Sequence, residues 1–273
     1  MTVLVHCIVT LGMLYVVPAG LRLIDPARLR TTARLWPLLA APGALCLWLP
    51  RGALAGTLAV LYAGATLALA LHAPVRLLRT RSLAPPEIAV LTALVTPSVA
   101  GLALVAERTG HRLFGFDLEI LALTVPHFHF AGFAAALVAG LVCRAGGPGP
   151  WGRWAAYSVP GGTSLVLAGY FVDDWAELAG AVVLTSGMWA VALLTWREIR
   201  PGAPDRGTAA LLAGSAGVLV LTMLLALWWA LGEASGLPHP TLTWMAATHG
   251  LGNALGFALC SVLAWRRLEE NAS

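Results

Sequence analysis

The chain contains no lysine: all 17 of its basic residues are arginine. Only 11% of its residues are charged while 59% are hydrophobic, a balance that excludes an ordinary soluble domain. Cysteine is scarce and unpaired in sequence. Cys7, Cys46, Cys143 and Cys260 stand singly, without the close spacing of a zinc or redox motif, and read as small core residues. No basic stretch precedes the first apolar run, so that run reads as a retained span and not as a cleaved signal. There is no Gly-rich phosphate loop, no spaced pair of carboxylate motifs of the kind that holds magnesium on a diphosphate, and no internal repeat.

What is present is a succession of long apolar runs separated by short turns rich in Gly, Pro and Arg, with no room for a soluble domain. The fold class expected is all-α: a polytopic membrane helix bundle formed by residues 1–273 as a single integral membrane domain. Nine transmembrane helices are expected at 3–23, 35–49, 53–71, 87–106, 118–142, 154–172, 177–196, 208–231 and 241–265. Leu49-Pro50-Arg51-Gly52 supplies the tight turn between the second and third.

Arginine placement orients this bundle. Fourteen of the 17 fall in the odd-numbered connections and the carboxyl tail, and only Arg51, Arg108 and Arg112 on the other side. The positive-inside rule then puts the carboxyl terminus in the cytoplasm and the amino terminus outside. Topology thus accounts for the net charge of +4, and a nucleic-acid partner is excluded. The partners expected are the lipid bilayer and a lipophilic small molecule. Arg108, His111, Arg112 and Asp117 are expected to form a solvated polar loop outside.

Ionisable residues inside apolar runs are costly and mark candidate sites. The fifth run carries Thr124-Val125-Pro126-His127-Phe128-His129-Phe130-Ala131-Gly132-Phe133. At about 1.5 Å per residue its histidines lie about 13–17 Å along the helix, near mid-membrane. Pro126 removes a backbone N–H and predicts a kink that opens a pocket. Positions two apart face different sides, so His127 and His129 are not expected to clamp one metal ion together. Phe128, Phe130 and Phe133 offer ring faces for an apolar wall.

The ninth run carries His249 and Asn253 on one helical face at a similar depth, with Gly252 and Gly256 as a small-xxx-small pair that admits a close neighbour. The two levels of histidine predict a shared intramembrane site. Between spans six and seven, Asp173 and Asp174 are flanked by Tyr170, Phe171 and Trp175; a recessed turn there would supply a carboxyl able to hold and donate a proton. Glu119, at the start of span five, and His6 are further candidates for that outer cluster.

The stretches at 127–133 and 249–257 resemble the two signatures of the YndJ-like family of bacterial membrane proteins, over about the last two-thirds of the chain. That resemblance implies architecture and no particular chemistry. In kind, a small all-helical membrane protein is also similar to the membrane-bound cyclases of bacterial meroterpenoid pathways, which protonate an alkene or epoxide of a prenyl chain.

The expected function is acid–base isomerisation or cyclisation of a lipophilic, prenylated substrate. Asp173 or Asp174 would be the proton donor with Glu119 in reserve. His127, His129 and His249 would orient the acid or accept the last proton, and Asn253 would position a polar group. Phe128, Phe130, Phe133, Tyr170 and Trp175 would line the substrate. No metal or other cofactor is required by this scheme. A transporter or ligand-binding protein relaying protons through the same histidines, or a haem or metal protein using them as ligands, are the alternatives.

Overall fold

The computed structural model describes residues 2–146 and 149–272. Among these every regular element is helical. Seven helices are long and apolar enough to cross a membrane: α1 (Thr2–Ile24), α3 (Ala53–Thr80), α4 (Pro85–Thr109), α5 (Leu118–Ala145), α7 (Asp174–Gly202), α8 (Arg206–Ser235) and α9 (Leu242–Asn271). Two more, α2 (Arg30–Cys46) and α6 (Pro150–Gly169), form where spans were expected but fall outside the seven. The first has 17 residues, including Pro37 and Pro42; the second is diluted by glycine, serine, threonine and Arg153.

The chain divides into two compact units. Unit 1 comprises Met1–Ser82 and Val90–Ala134; unit 2 comprises Leu83–Ala89 and Ala135–Ser273. In unit 1, α2 packs on α3 and on α1. The approach is close enough that a Cβ at Gly43 would stand 2.6 Å from the Tyr62 ring, and one at Gly12 would stand 3.1 Å from the His129 side chain. The turn after α2 needs Gly52, whose φ of 150° suits no other residue well and whose N–H reaches the Arg108 carbonyl at 3.0 Å.

Arg108 overturns the expectation of a solvated outer loop. It is 6% exposed, its guanidinium pairs with Glu107, and Nη1 reaches the carbonyls of Cys46, Leu47 and Leu49 at 3.3–3.4 Å. Those carbonyls lie at and just past the end of α2, where only that of Cys46 also accepts a backbone N–H, from Leu49 at 3.3 Å, so the cation meets both charge and valence there. Glu107, 2% exposed, also binds Arg51 at 2.8 Å. Only Arg112 and Asp117 form the exposed pair that a solvated loop implies, at 3.1 Å.

At the other end of unit 1, Asp25 meets Arg79 at 3.2 Å and Arg76 at 3.7 Å, tying the end of α3 to the end of α1. Partial burial pushes this carboxyl up, but the Arg28 N–H and the two arginines outweigh it and hold it below the usual carboxylate value.

Unit 2 is built on small residues. Gly162 and Gly169 of α6 face Leu184 and Glu177 of α7, while Gly180 and Gly187 of α7 face α6 at Val166 and Ser158. Apolar side chains gain little by leaving lipid for one another, so close backbone approach is what holds such a pair. The Gly252–Gly256 pair of α9 does the same against Val218 and Thr222 of α8.

Candidate functional site

Pro126 has the local effect its chemistry predicts. The helix widens into a π-turn over Phe128–Ala134, and the Phe128 N–H is shared between the Thr124 and Val125 carbonyls. The side chains along the widened turn, Phe128, His129, Phe130 and Phe133, are buried. His129 is fully buried, with Nδ1 2.7 Å from the Val125 carbonyl and Nε2 2.5 Å from the Tyr62 hydroxyl. A carbonyl can only accept, so Nδ1 carries the proton; in the neutral ring the bare Nε2 accepts from Tyr62. Trp36 packs edge-on to Tyr62 and donates to the Met13 carbonyl at 3.0 Å.

Phe128, Phe130 and Phe133 are 3%, 6% and 0% exposed and serve as packing within unit 1. His127 faces elsewhere, half-buried beside Phe128, as a spacing of two requires. Glu119 is exposed in the first turn of α5, a favourable place for an acid at a helix amino end. His6 packs edge-on to Trp48.

His249 and Asn253 belong to unit 2 and share a helical face, as expected from a spacing of four. His249 Nδ1 donates to the Thr222 carbonyl at 2.8 Å, Asn253 Nδ2 donates to His249 Nε2 at 3.2 Å, and the Thr222 hydroxyl donates to Asn253 Oδ1 at 2.8 Å. This is a closed cycle of hydrogen bonds joining α8 to α9. Each partner satisfies the next, which favours a clamp over a proton relay. The structure describes the two histidine groups within separate units, each with partners of its own. Among the described residues no three of His, Cys, Asp and Glu are grouped so as to hold a metal ion.

The acidic turn is not recessed. Asp173, Asp174 and Trp175 are exposed, and Asp173 caps α7 by accepting from the Ala176 N–H at 2.8 Å. Losing this cap through Asp173→Ala is expected to destabilise the protein by about 0.5–2 kcal/mol, read from denaturation in detergent, and to leave any activity in place. The acidic residue with the least exposure on this turn lies one helical turn further on. Glu177 is 9% exposed, its backbone lies against Gly169 of α6, and among the described residues its carboxylate has no hydrogen bond and no ion pair.

Tyr170, Asp174 and Glu233 all lie within its electrostatic reach. Glu233 of α8 in turn pairs with His239 at 3.1 Å. Below them Tyr170 and Trp229 pack on Val166, Ala181 and Ala230, and the Trp229 indole N–H is buried with no partner. The segment after α8 is held against it where His239 rests on Gly232 and the Trp228 N–H donates to the Pro238 carbonyl at 3.0 Å.

The sequence pattern pointed to Asp173 and Asp174 and passed over Glu177. The available signal was its position one turn into a helix, on the face that meets Gly169. Tyr62 and Thr222 were missed outright; a polar-tipped aromatic far from either end of a span is the mark that could have found Tyr62.

Residues 7–257 match the family described as YndJ-like protein. The chain belongs to the YndJ-like family. No curated protein and no solved structure matches it. In this YndJ-like protein the matched region takes in both histidine groups and the whole Glu177 cluster, so all of these sit inside the family's common span.

Proposed function

We propose that this is a multi-pass protein of the cell membrane, with its amino end outside and its carboxyl end cytoplasmic, that carries out acid–base isomerisation or cyclisation of a lipophilic, prenylated molecule. The observation that carries the reading is Glu177: an acidic residue 9% exposed overall, with no side-chain hydrogen bond or ion pair among the described residues, in the electrostatic reach of Asp174 and Glu233 and one turn from the cluster that Tyr170 and Trp229 pack on. A general acid must stand where the substrate can take its proton, and Glu177 is the acid on this turn that lies between helices and is engaged by no other side chain among the described residues. Asp173 and Asp174, exposed and in one case occupied by capping, suit the role less well.

In this reading Glu177 donates the proton, Tyr170 and Trp229 shield the charge that develops, and Glu233 with His239 returns a proton from the outer surface. The His249–Asn253–Thr222 cycle is a positioning device that fixes α8. No cofactor takes part. The experiment is to incubate membranes containing the protein with prenylated indoles, quinones or peptides and look for isomerised or cyclised product. Product from one of these classes, absent in control membranes, supports the reading; none from any class contradicts it.

A second reading, proton-linked transport, is favoured by the partly exposed Glu233–His239 pair, whose Glu233 lies within electrostatic reach of Glu177. It predicts uptake of a labelled solute by proteoliposomes that depends on a proton gradient.

A further inference from the structure

The connections that the positive-inside rule assigns to the cytoplasm hold as many arginines in one unit as in the other, but far from as many acids. In unit 2 the seven arginines from Arg144 to Arg267 are set against Glu87, Glu198, Asp205, Glu269 and Glu270, and Arg266 pairs with Glu270 at 3.6 Å. In unit 1 seven arginines face Asp25 alone. Topology accounts for the arginines in both units and for no difference in the acids.

Asp25 is already engaged. It accepts from the Arg28 N–H at 3.1 Å and pairs with Arg79 at 3.2 Å and Arg76 at 3.7 Å, which gathers the end of α1, the turn after it and the end of α3 at one point. Four more arginines lie close to that point in the chain: Arg22 on α1, Arg30 and Arg34 at the start of α2, and Arg81 just past α3. All four are exposed, and their side chains have no hydrogen bond or ion pair among the described residues.

Arg81 stands there under strain. Its φ of 49° lies in the left-handed region that ends α3, where glycine is the unstrained choice, and its N–H donates to the Leu77 carbonyl at 2.8 Å. What the position gains from arginine is the charged side chain. Beside the charges is an apolar face. Leu71, Val75 and Leu78 recur at helical spacing along the last turns of α3 and are exposed, as are Leu35 and Leu38 after Arg34 on α2.

An occupant of this surface must offer anionic oxygens to the arginines and hydrocarbon to the leucines within one molecule. Guanidinium forks match phosphate oxygens, and acyl chains match the exposed stripe. We infer that the Asp25 end of unit 1 binds an anionic phospholipid, its phosphate held by the arginines around Asp25 and its acyl chains along Leu71, Val75 and Leu78. Asp25 positions Arg76 and Arg79 for it. The inference does not depend on the reaction proposed for Glu177.

The test reconstitutes the full chain in nanodiscs of equal parts phosphatidylglycerol and phosphatidylcholine with matched acyl chains, and counts the lipids it keeps on release by native mass spectrometry. Phosphatidylglycerol is expected to be retained over phosphatidylcholine about tenfold or more, and Arg30→Gln with Arg34→Gln to remove most of that preference, about fivefold for each arginine. Arg81→Gly separates binding from folding. Glycine suits that φ, so the variant is expected to melt no lower than the unsubstituted protein and still to lose about fivefold in retention. Arg266→Gln with Arg267→Gln, in the balanced part of unit 2, is expected to leave retention unchanged. Equal retention of the two lipids, or a preference that survives in both unit 1 variants, overturns the inference. So does an equal loss on changing Arg266 and Arg267, which would make the attraction a matter of net charge. Displacement of the lipid by inorganic phosphate would assign the surface to a soluble anion, and displacement by polyglutamate to an acidic protein segment; either result also overturns it.

Discussion

Replacing Arg108 with alanine is expected to cost about 3–5 kcal/mol of stability, the largest loss from any single charge in the protein. Three consequences coincide. Glu107, 2% exposed, is left with only the half-exposed Arg51 as its ion-pair partner; the carbonyls of Leu47 and Leu49 lose their side-chain donor, and that of Cys46 keeps only the Leu49 N–H; and a space opens under the 46–52 turn. Most of the cost comes from the unpaired buried charge and not from the net worth of the ion pair. Removing both charges therefore hurts less than removing one. Glu107→Gln combined with Arg108→Met is expected to recover part of the loss, measured by denaturation of the purified protein in detergent against Arg112→Ala, whose exposed pair with Asp117 is worth about 0–1 kcal/mol.

Glu177→Gln is expected to lower product formation by about 10²–10⁴-fold, the span that a positioned general acid contributes. Gln keeps the shape and removes only the transferable proton, so folding should be unaffected. Asp173→Asn is expected to lower activity by far less, because that carboxylate is occupied with the α7 cap. The two variants thus separate the acid that the sequence pattern suggests from the one that burial selects. A rate that falls equally in both would point to the turn as a whole and away from Glu177.

The helices were legible because they depend on the chain's own composition. Apolar runs and turn residues placed the seven helices that, among the described residues, are long and apolar enough to span, while α2 and α6 form where two further spans were expected without meeting that measure; the elongations seen in the structure, such as α3 continuing to Thr80 and α7 beginning at Asp174, extend spans whose cores were already evident. Pro126 was legible for the same reason: a missing N–H acts locally, and the π-turn follows at once. The pairing of His249 with Asn253 needed only the helical repeat.

What depended on the facing helix was not legible. The third run marks Tyr62 as a mid-span polar-tipped aromatic but does not say that His129, 67 residues away, is its partner; that contact forms where α2 approaches closely at Gly43. Arg108 looks like a loop cation until α2 is seen to end beside it. Glu177 looks like a first-turn acid stabilised by the helix dipole, and only the approach of Gly169 shows that it is buried. The charged and polar groups were visible in the sequence; their burial belongs to packing between helices, which hydrophobic periodicity does not encode.

The central claim is that Glu177, and not the exposed Asp173 or Asp174, is the carboxyl that meets a lipophilic molecule. The most direct test is labelling with a lipophilic carbodiimide, which reacts with protonated carboxyls in apolar surroundings, followed by peptide mapping by mass spectrometry. The account predicts modification at Glu177, with Asp173 and Asp174 spared and labelling abolished in Glu177→Gln. Modification of Asp173 or Asp174 with Glu177 untouched would contradict it.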